Sequence, residues 1–209
     1  MLTVANLGCE RDERVLFDQL SFSVANGMLL QIQGANGSGK TTLLRILAGL
    51  NSDYTGEVLW RGQNCRQTRQ EYQQALFYLG HAPAINRTLT PLQNLRWFCG
   101  LQGFSDDTAI HAALQQLGLA GYADIPCHQM SAGQQRRVSL ARLSLSAAPL
   151  WIMDEPFTAL DKQGVAELEA RVDAHVTSGG AVILTTHHAL QTGHLLTVVN
   201  LDALRTESA

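Results

Sequence analysis

The stretch that most restricts this chain is MLLQIQGANGSGKTTLLRILAGL, residues 28–50. Its opening, MLLQIQ, is a short and mostly apolar run that reads as a strand. Its close puts Leu43, Leu44 and Leu47 on one helical face and stops at Gly49. Between them lies GANGSGKT at 34–41, which fits the pattern G-x-x-x-x-G-K-[ST]. Glycines let the backbone curl until successive amides point inward at anionic oxygens. The helix that follows adds partial positive charge at its N-terminus. Lys40 is placed for the β- and γ-phosphates of a nucleotide, and Thr41 offers a hydroxyl to Mg²⁺. Gly34, Ala35, Asn36, Gly37, Ser38, Gly39, Lys40, Thr41 and Thr42 are therefore the expected nucleotide-binding set.

A second site is written in LWIMDEP, residues 150–156, an apolar run ending in two acids. Burial of that strand forces Asp154 and Glu155 out at its C-terminal end, where ligands of open α/β sheets bind. Asp154 can hold Mg²⁺, and Glu155 can accept a proton from an attacking water or orient it. AVILTTH at 181–187 repeats the design, with His187 at the end of another apolar strand.

The 209 residues are 45% hydrophobic and 16% charged, enough for one sizeable core with a satellite. A net charge of −3 argues against nucleic acid as the main partner. Cys9, Cys65, Cys99 and Cys127 form no C-x-x-C pair and read as reduced thiols of a cytosolic protein. No stretch approaches the roughly 18 apolar residues of a membrane span.

Further strands are expected at 2–6, 20–24, 57–60, 76–79 and 195–200, and helices at 106–117, capped by Ser105, and 162–177, capped by Asp161. Residues 88–147 read as mostly helical, so an α/β core interrupted by a helical insertion is expected. In that insertion NRTLTPLQNLRWFCGLQG, residues 86–103, is more apolar than a solvated surface needs; most of its apolar residues read as core and a few as the lining of a partner groove. QMSAGQQRR at 129–137 has no apolar run, and Arg136 and Arg137 read as a solvated helix face.

Together GANGSGKT, MSAGQ at 130–134, the strand with Asp154 and Glu155, TALD at 158–161 and His187 resemble the ATP-binding subunits of ABC transporters over nearly the whole chain. A P-loop kinase or GTPase leaves MSAGQ and TALD unexplained. A soluble ABC ATPase acting on ribosomes or DNA usually has a second such domain or a long coiled-coil insertion.

The resemblance implies a P-loop NTPase fold of ABC type, with a mixed β core, an antiparallel β subdomain and an inserted helical subdomain, all one ATPase domain over 1–209. It implies ATP and Mg²⁺ as ligands, with Thr41 and Asp154 at the metal. Ser131, Gly133 and Gln134 then act in trans on ATP held by a second copy, and Asp161 lies in a dimer-interface loop. Glu155, His187 and His81 are the implied catalytic set; His81 stands where the family usually has a glutamine. Ala132 replaces a usual glycine. CERDER at 9–14 lacks the usual adenine-stacking aromatic; Arg11 is one candidate to stack there, and the sequence does not name the group that does.

Short length, YLGHAP, CERDER and MSAGQQRRVSLARL are similar to the cytochrome c maturation subfamily. That similarity implies a homodimer of ATPase subunits, peripheral on the cytoplasmic face of a bacterial inner membrane, with integral membrane permease subunits as partners. ATP use would drive haem export or release of a haem-loaded chaperone, without direct haem or nucleic-acid binding by this chain. The ATPase subunit of another small ABC exporter, or a soluble non-transport ABC ATPase, is the alternative.

Overall fold

The computed structural model describes residues 1–204. It opens on two long strands, β1 (Leu2–Arg11) and β2 (Arg14–Val24), paired antiparallel. The turn between them is Asp12–Glu13, with φ of 52° and 61°. Paired positive φ values match the twist of a two-residue hairpin. The charged CERDER segment is thus two strand ends and a tight turn rather than a loop. After β3 (Leu29–Gln33) and α1 (Lys40–Leu47) come β4 (Thr55–Trp60) and β5 (Gln63–Asn64). They complete an antiparallel sheet in the order β2-β1-β4-β5.

Then follow α2 (Arg69–Gln74), β6 (Leu76–Leu79), α3 (Pro91–Leu101), α4 (Asp107–Gln116) and α5 (Ala132–Ser144). The chain continues through β7 (Leu150–Asp154), α6 (Lys162–Thr177), β8 (Ala181–Thr185) and β9 (Leu196–Asn200). The second sheet has the order β6-β7-β8-β3-β9, with β7, β8, β3 and β9 parallel. Every residue of β7 and β8 is buried. That explains why both read as unbroken apolar runs.

Two compact units result. Among the described residues the first takes 1–78, 148–156 and 169–204. Its core joins Leu2, Phe17 and Leu20 of the antiparallel sheet to Leu43, Leu44 and Leu47 of α1 and to Ile152 and Ile183 of the parallel sheet. Because β3, β7 and β8 run the same way, their C-terminal ends share one edge of this unit. The phosphate loop, the two acids and the segment at His187 leave from that edge.

The second unit takes 79–147 and 157–168. Its core includes Leu95, Cys99, Ile110, Leu114, Cys127 and Val138. Thr90 and Gln93 form a capping box at α3, with Pro91 as the first helical residue, where a missing N–H costs nothing. The cap of α4 is Asp106, whose side chain accepts from the Ala109 amide, not Ser105.

The arginine pair of α5 also departs from the sequence reading. Arg136 is 3% exposed and donates to the carbonyls of Gly80 (3.0 Å) and His81 (3.2 Å). It shares a face with Leu140 and Leu143, at helical spacing, so its charge turns inward onto backbone oxygens. Arg137 is only partly exposed and binds both Asp161 carboxylate oxygens at 2.7 Å.

Candidate nucleotide site

The loop after β3 is shaped by backbone that only glycine adopts freely. Gly39 caps α1 with φ 100°, and a Cβ there would lie 3.1–3.3 Å from Leu16 and Phe17. Gly34 has φ 150°, and its Cβ would meet the Ser38 hydroxyl at 2.5 Å. Lys40 Nζ donates to the carbonyls of Gly34 (2.7 Å) and Ala35 (3.0 Å), so its ammonium sits inside the curl of the loop. An open pocket of about 520 Å³ is lined by Gly34, Lys40, Gln31, Thr186 and His187. A second pocket in the same unit, of about 310 Å³, is lined by Arg11, Thr42, Arg45, Asn51 and Asp53. Arg11 there is exposed and lies 3.5 Å from Asp12.

Thr41 and Asp154 meet directly: the Thr41 hydroxyl donates to Asp154 Oδ2 at 2.8 Å. The other carboxylate oxygen accepts from the Thr185 hydroxyl at 2.7 Å. A hydroxyl and a carboxylate at the mouth of an anion-binding loop are hard oxygen donors, and they fit a hard divalent cation bridging to phosphate.

Glu155 follows at φ 47°, a left-handed conformation that a side chain normally avoids. Its amide donates to Thr185 at both the carbonyl (3.2 Å) and the hydroxyl (3.0 Å), which holds the turn in place. That turn aims the Glu155 carboxylate at His187, whose Nε2 is 3.6 Å away. The Glu155 side chain is 20% exposed and that of His187 72%. Strain of this kind persists where the surroundings over-determine it, and it gathers at functional sites.

The second unit holds the other expected residues. Ser131 caps α5 in a closed box: its hydroxyl accepts from the Gln134 amide (3.2 Å), and Gln134 Oε1 accepts from the Ser131 amide (2.9 Å). The Ser131 O–H remains a donor. Ala132 is exposed as the first helical residue, so its methyl is accommodated. At Gly133, by contrast, a Cβ would lie 3.0 Å from the Ala159 carbonyl. Asp161 caps α6, accepting from the Gly164 amide at 2.9 Å, and its contact with that amide and then with Arg137 holds its carboxyl below the usual range. His81 is exposed, just beyond β6.

A family model described as ABC transporter matches residues 17–158. The chain belongs to that family. This ABC chain is 55% identical over 190 residues to a cytochrome c biogenesis ATP-binding export protein, CcmA, of Pseudomonas putida, covering 91% of this chain and 90% of that one. A relative of the same description from Hahella chejuensis is 49% identical over 204 residues, with 98% and 97% covered. Among solved structures, an ATP-binding subunit of an ABC transporter aligns with TM-score 0.79 and 25% identity, over 90% of this chain and 79% of that one. A dimeric ATP-binding cassette in a post-hydrolysis state with ADP and phosphate has the same fold, at TM-score 0.80 and 22% identity, over 90% and 88%.

Several supporting residues of this ABC site carry no local sequence signal. Thr185 tethers both acids. Gln31, buried in β3, donates to the Thr186 carbonyl (3.0 Å) just before His187. Asp202 accepts from the Ala35 amide (2.8 Å) at the start of the loop, from 167 residues away. No apolar period or motif marks pairings of that separation.

Proposed function

We propose that this chain is the ATP-hydrolysing subunit of a membrane ABC transporter complex for cytochrome c biogenesis, coupling hydrolysis to haem export or to release of a haem-loaded chaperone. One observation carries the catalytic reading. Glu155 and His187 face each other at 3.6 Å beside the Thr41–Asp154 contact, in the same unit as the phosphate loop. The relatives supply the process.

In this reading the loop 34–42 and Lys40 hold the phosphates, and Arg11 lies against the base. Lys40 exchanges its two carbonyl partners for phosphate oxygens. Thr41 and Asp154 would hold Mg²⁺, which would neutralise charge on the phosphates. Glu155 takes the proton of, or orients, the attacking water, and His187 lies against the γ-phosphate. Ser131, Gly133 and Gln134 cover ATP bound by a second copy, with Ser131 donating its free O–H. His81 completes the catalytic set. The second unit is then a helical subdomain within one ATPase domain. It carries a groove of about 530 Å³ lined by Pro83, Ile85, Leu89 and Trp97, fit for a membrane permease subunit. The complex sits on the cytoplasmic face of a bacterial inner membrane.

Glu155→Gln tests the reading. ATP binding is retained, turnover falls by about 10²–10⁴-fold, and an ATP-dependent dimer appears on gel filtration. Turnover at the wild-type rate removes Glu155 from the chemistry.

A further inference from the structure

We propose that Glu169 is a positioning residue for ATP turnover, fixing the segment after β8 so that His187 stays in reach of Glu155. This rests on the ATPase reading above.

Helix α6 carries two columns of residues spaced by four. Leu168, Val172 and Val176 are each 2% exposed and form its core side. The adjacent column is Glu169, Asp173 and Thr177, and every member of it binds the segment that follows His187. Glu169 Oε1 accepts from the Gln191 amide at 2.7 Å and from His188 Nε2 at 3.0 Å. Asp173 Oδ1 accepts from the Thr192 hydroxyl at 2.6 Å. His194 Nε2 lies 3.2 Å from the Asp173 carbonyl and 3.1 Å from the Thr177 hydroxyl. The segment is also tied within itself, since the amides of His188 and His194 donate to the hydroxyls of Thr186 and Thr192.

His187 is the residue this arrangement leaves in the open. Its side chain is 72% exposed, so packing does not set its place. Its neighbours do. The Thr186 carbonyl before it is held by Gln31, and the His188 ring after it is held by Glu169. A carboxylate only accepts, so His188 carries its proton on Nε2. The Glu169 side chain is 11% exposed. A carboxylate so far from water is costly unless it is hydrogen-bonded, and both groups bonded to its Oε1 come from the segment it holds. A surface glutamate serving solubility has no need of that geometry.

The test uses the full chain purified from membranes together with the permease subunits of the proposed function. Small misplacements of a reacting group cost up to about 10²-fold, so Glu169→Ala is expected to lower kcat by roughly 10–10²-fold with KM for ATP unchanged. Glu169→Gln keeps an Oε1 acceptor and recovers most of the rate. In a His187→Ala background, Glu169→Ala has no further effect, because it acts through His187. His188→Ala, which leaves the helix untouched, lowers kcat in the same non-additive way even if Glu169→Ala proves too unstable to assay. An unchanged kcat in an active preparation, or an equal fall in both backgrounds, overturns the proposal. Full activity of His187→Ala, or no ATP turnover by the wild type, counts against the ATPase reading instead.

Discussion

Thr185 shows how much of this site rests on one hydroxyl. Its O–H goes to Asp154 while its oxygen takes the Glu155 amide, so a single buried group orients the Asp154 carboxylate and holds the strained turn at Glu155. Thr185→Val keeps the shape and removes both bonds. A buried hydrogen bond lost with its partners left behind costs about 1–3 kcal/mol. The melting temperature is expected to fall, and the Mg²⁺ concentration needed for half-maximal ATPase to rise, since Asp154 is no longer oriented. A Mg²⁺ titration unchanged from wild type shows that Thr185 serves the fold alone. The same residue marks where sequence reading stops. Asp154 and Glu155 are legible because burial of LWIM leaves them nowhere else to go. Thr185, one more buried position in AVILTT, looks like any strand threonine until its partner 31 residues away is known.

Helix ends carry the next layer. Ser131 has two roles that substitution can separate: its oxygen caps α5, and its O–H is the donor proposed for a second copy's phosphate. Ser131→Ala loses the cap, at about 1 kcal/mol, or roughly 2–4 °C in a chain of this size. Ser131→Asp keeps a good cap but sets a negative charge against phosphate. It is expected to melt near the wild type and to lose ATPase. If Ser131→Asp hydrolyses ATP normally, the residue is a cap only. Helix α6 has its own sensitivity at the other end. His175 stacks on Trp151 with centroids 3.8 Å apart and planes 9° from parallel, and its Nε2 lies 3.3 Å from the Pro149 carbonyl. Burial depresses its pKa below the ordinary 6.5, outweighing the opposing pull of that carbonyl. The unfolded chain therefore takes up a proton more readily than the folded one. Above about pH 6.5 the ring is neutral in both states and costs nothing; as pH falls below it, the unfolded state gains, and stability is lost until the folded pKa is passed. His175→Phe keeps a flat ring without the titration. Melting curves between pH 7 and 5 are expected to fall less steeply for it than for the wild type, and identical slopes exclude His175 as the source. The arginines of α5 belong here too. QQRR looks solvated in sequence because basic pairs usually are. The structure turns Arg136 inward, because the carbonyls of Gly80 and His81 satisfy a guanidinium as water would.

At the scale of the whole molecule, periodicity marks most strands and the helices α1, α4 and α6, and the loop motif marks the candidate phosphate site. The pairing of distant segments stayed hidden, since tertiary hydrogen bonds between 31 and 167 residues apart leave no repeating pattern. What the proposed function still needs is a connection to a membrane. No helix of the described residues is long and apolar enough to cross one. Trp97 and Leu101 on α3 are 65% and 64% exposed, and Trp97 borders the groove with Pro83 and Leu89. Large apolar side chains held out in water at that density mark a surface used by something else. An exposed tryptophan contributes little to folding, so Trp97→Glu is expected to change stability by no more than about 0.5 kcal/mol. It leaves the nucleotide pocket of the other unit untouched, and ATP affinity in solution is expected to match the wild type. The loss falls on docking: a charge placed in an apolar groove must be desolvated when the partner closes over it, at several kcal/mol if unpaired. Fractionation of cells expressing the variant is then expected to find the chain in the soluble fraction, with export-dependent cytochrome c maturation lost. A variant that stays with the membranes at the wild-type level, while binding ATP normally, moves the docking surface away from α3.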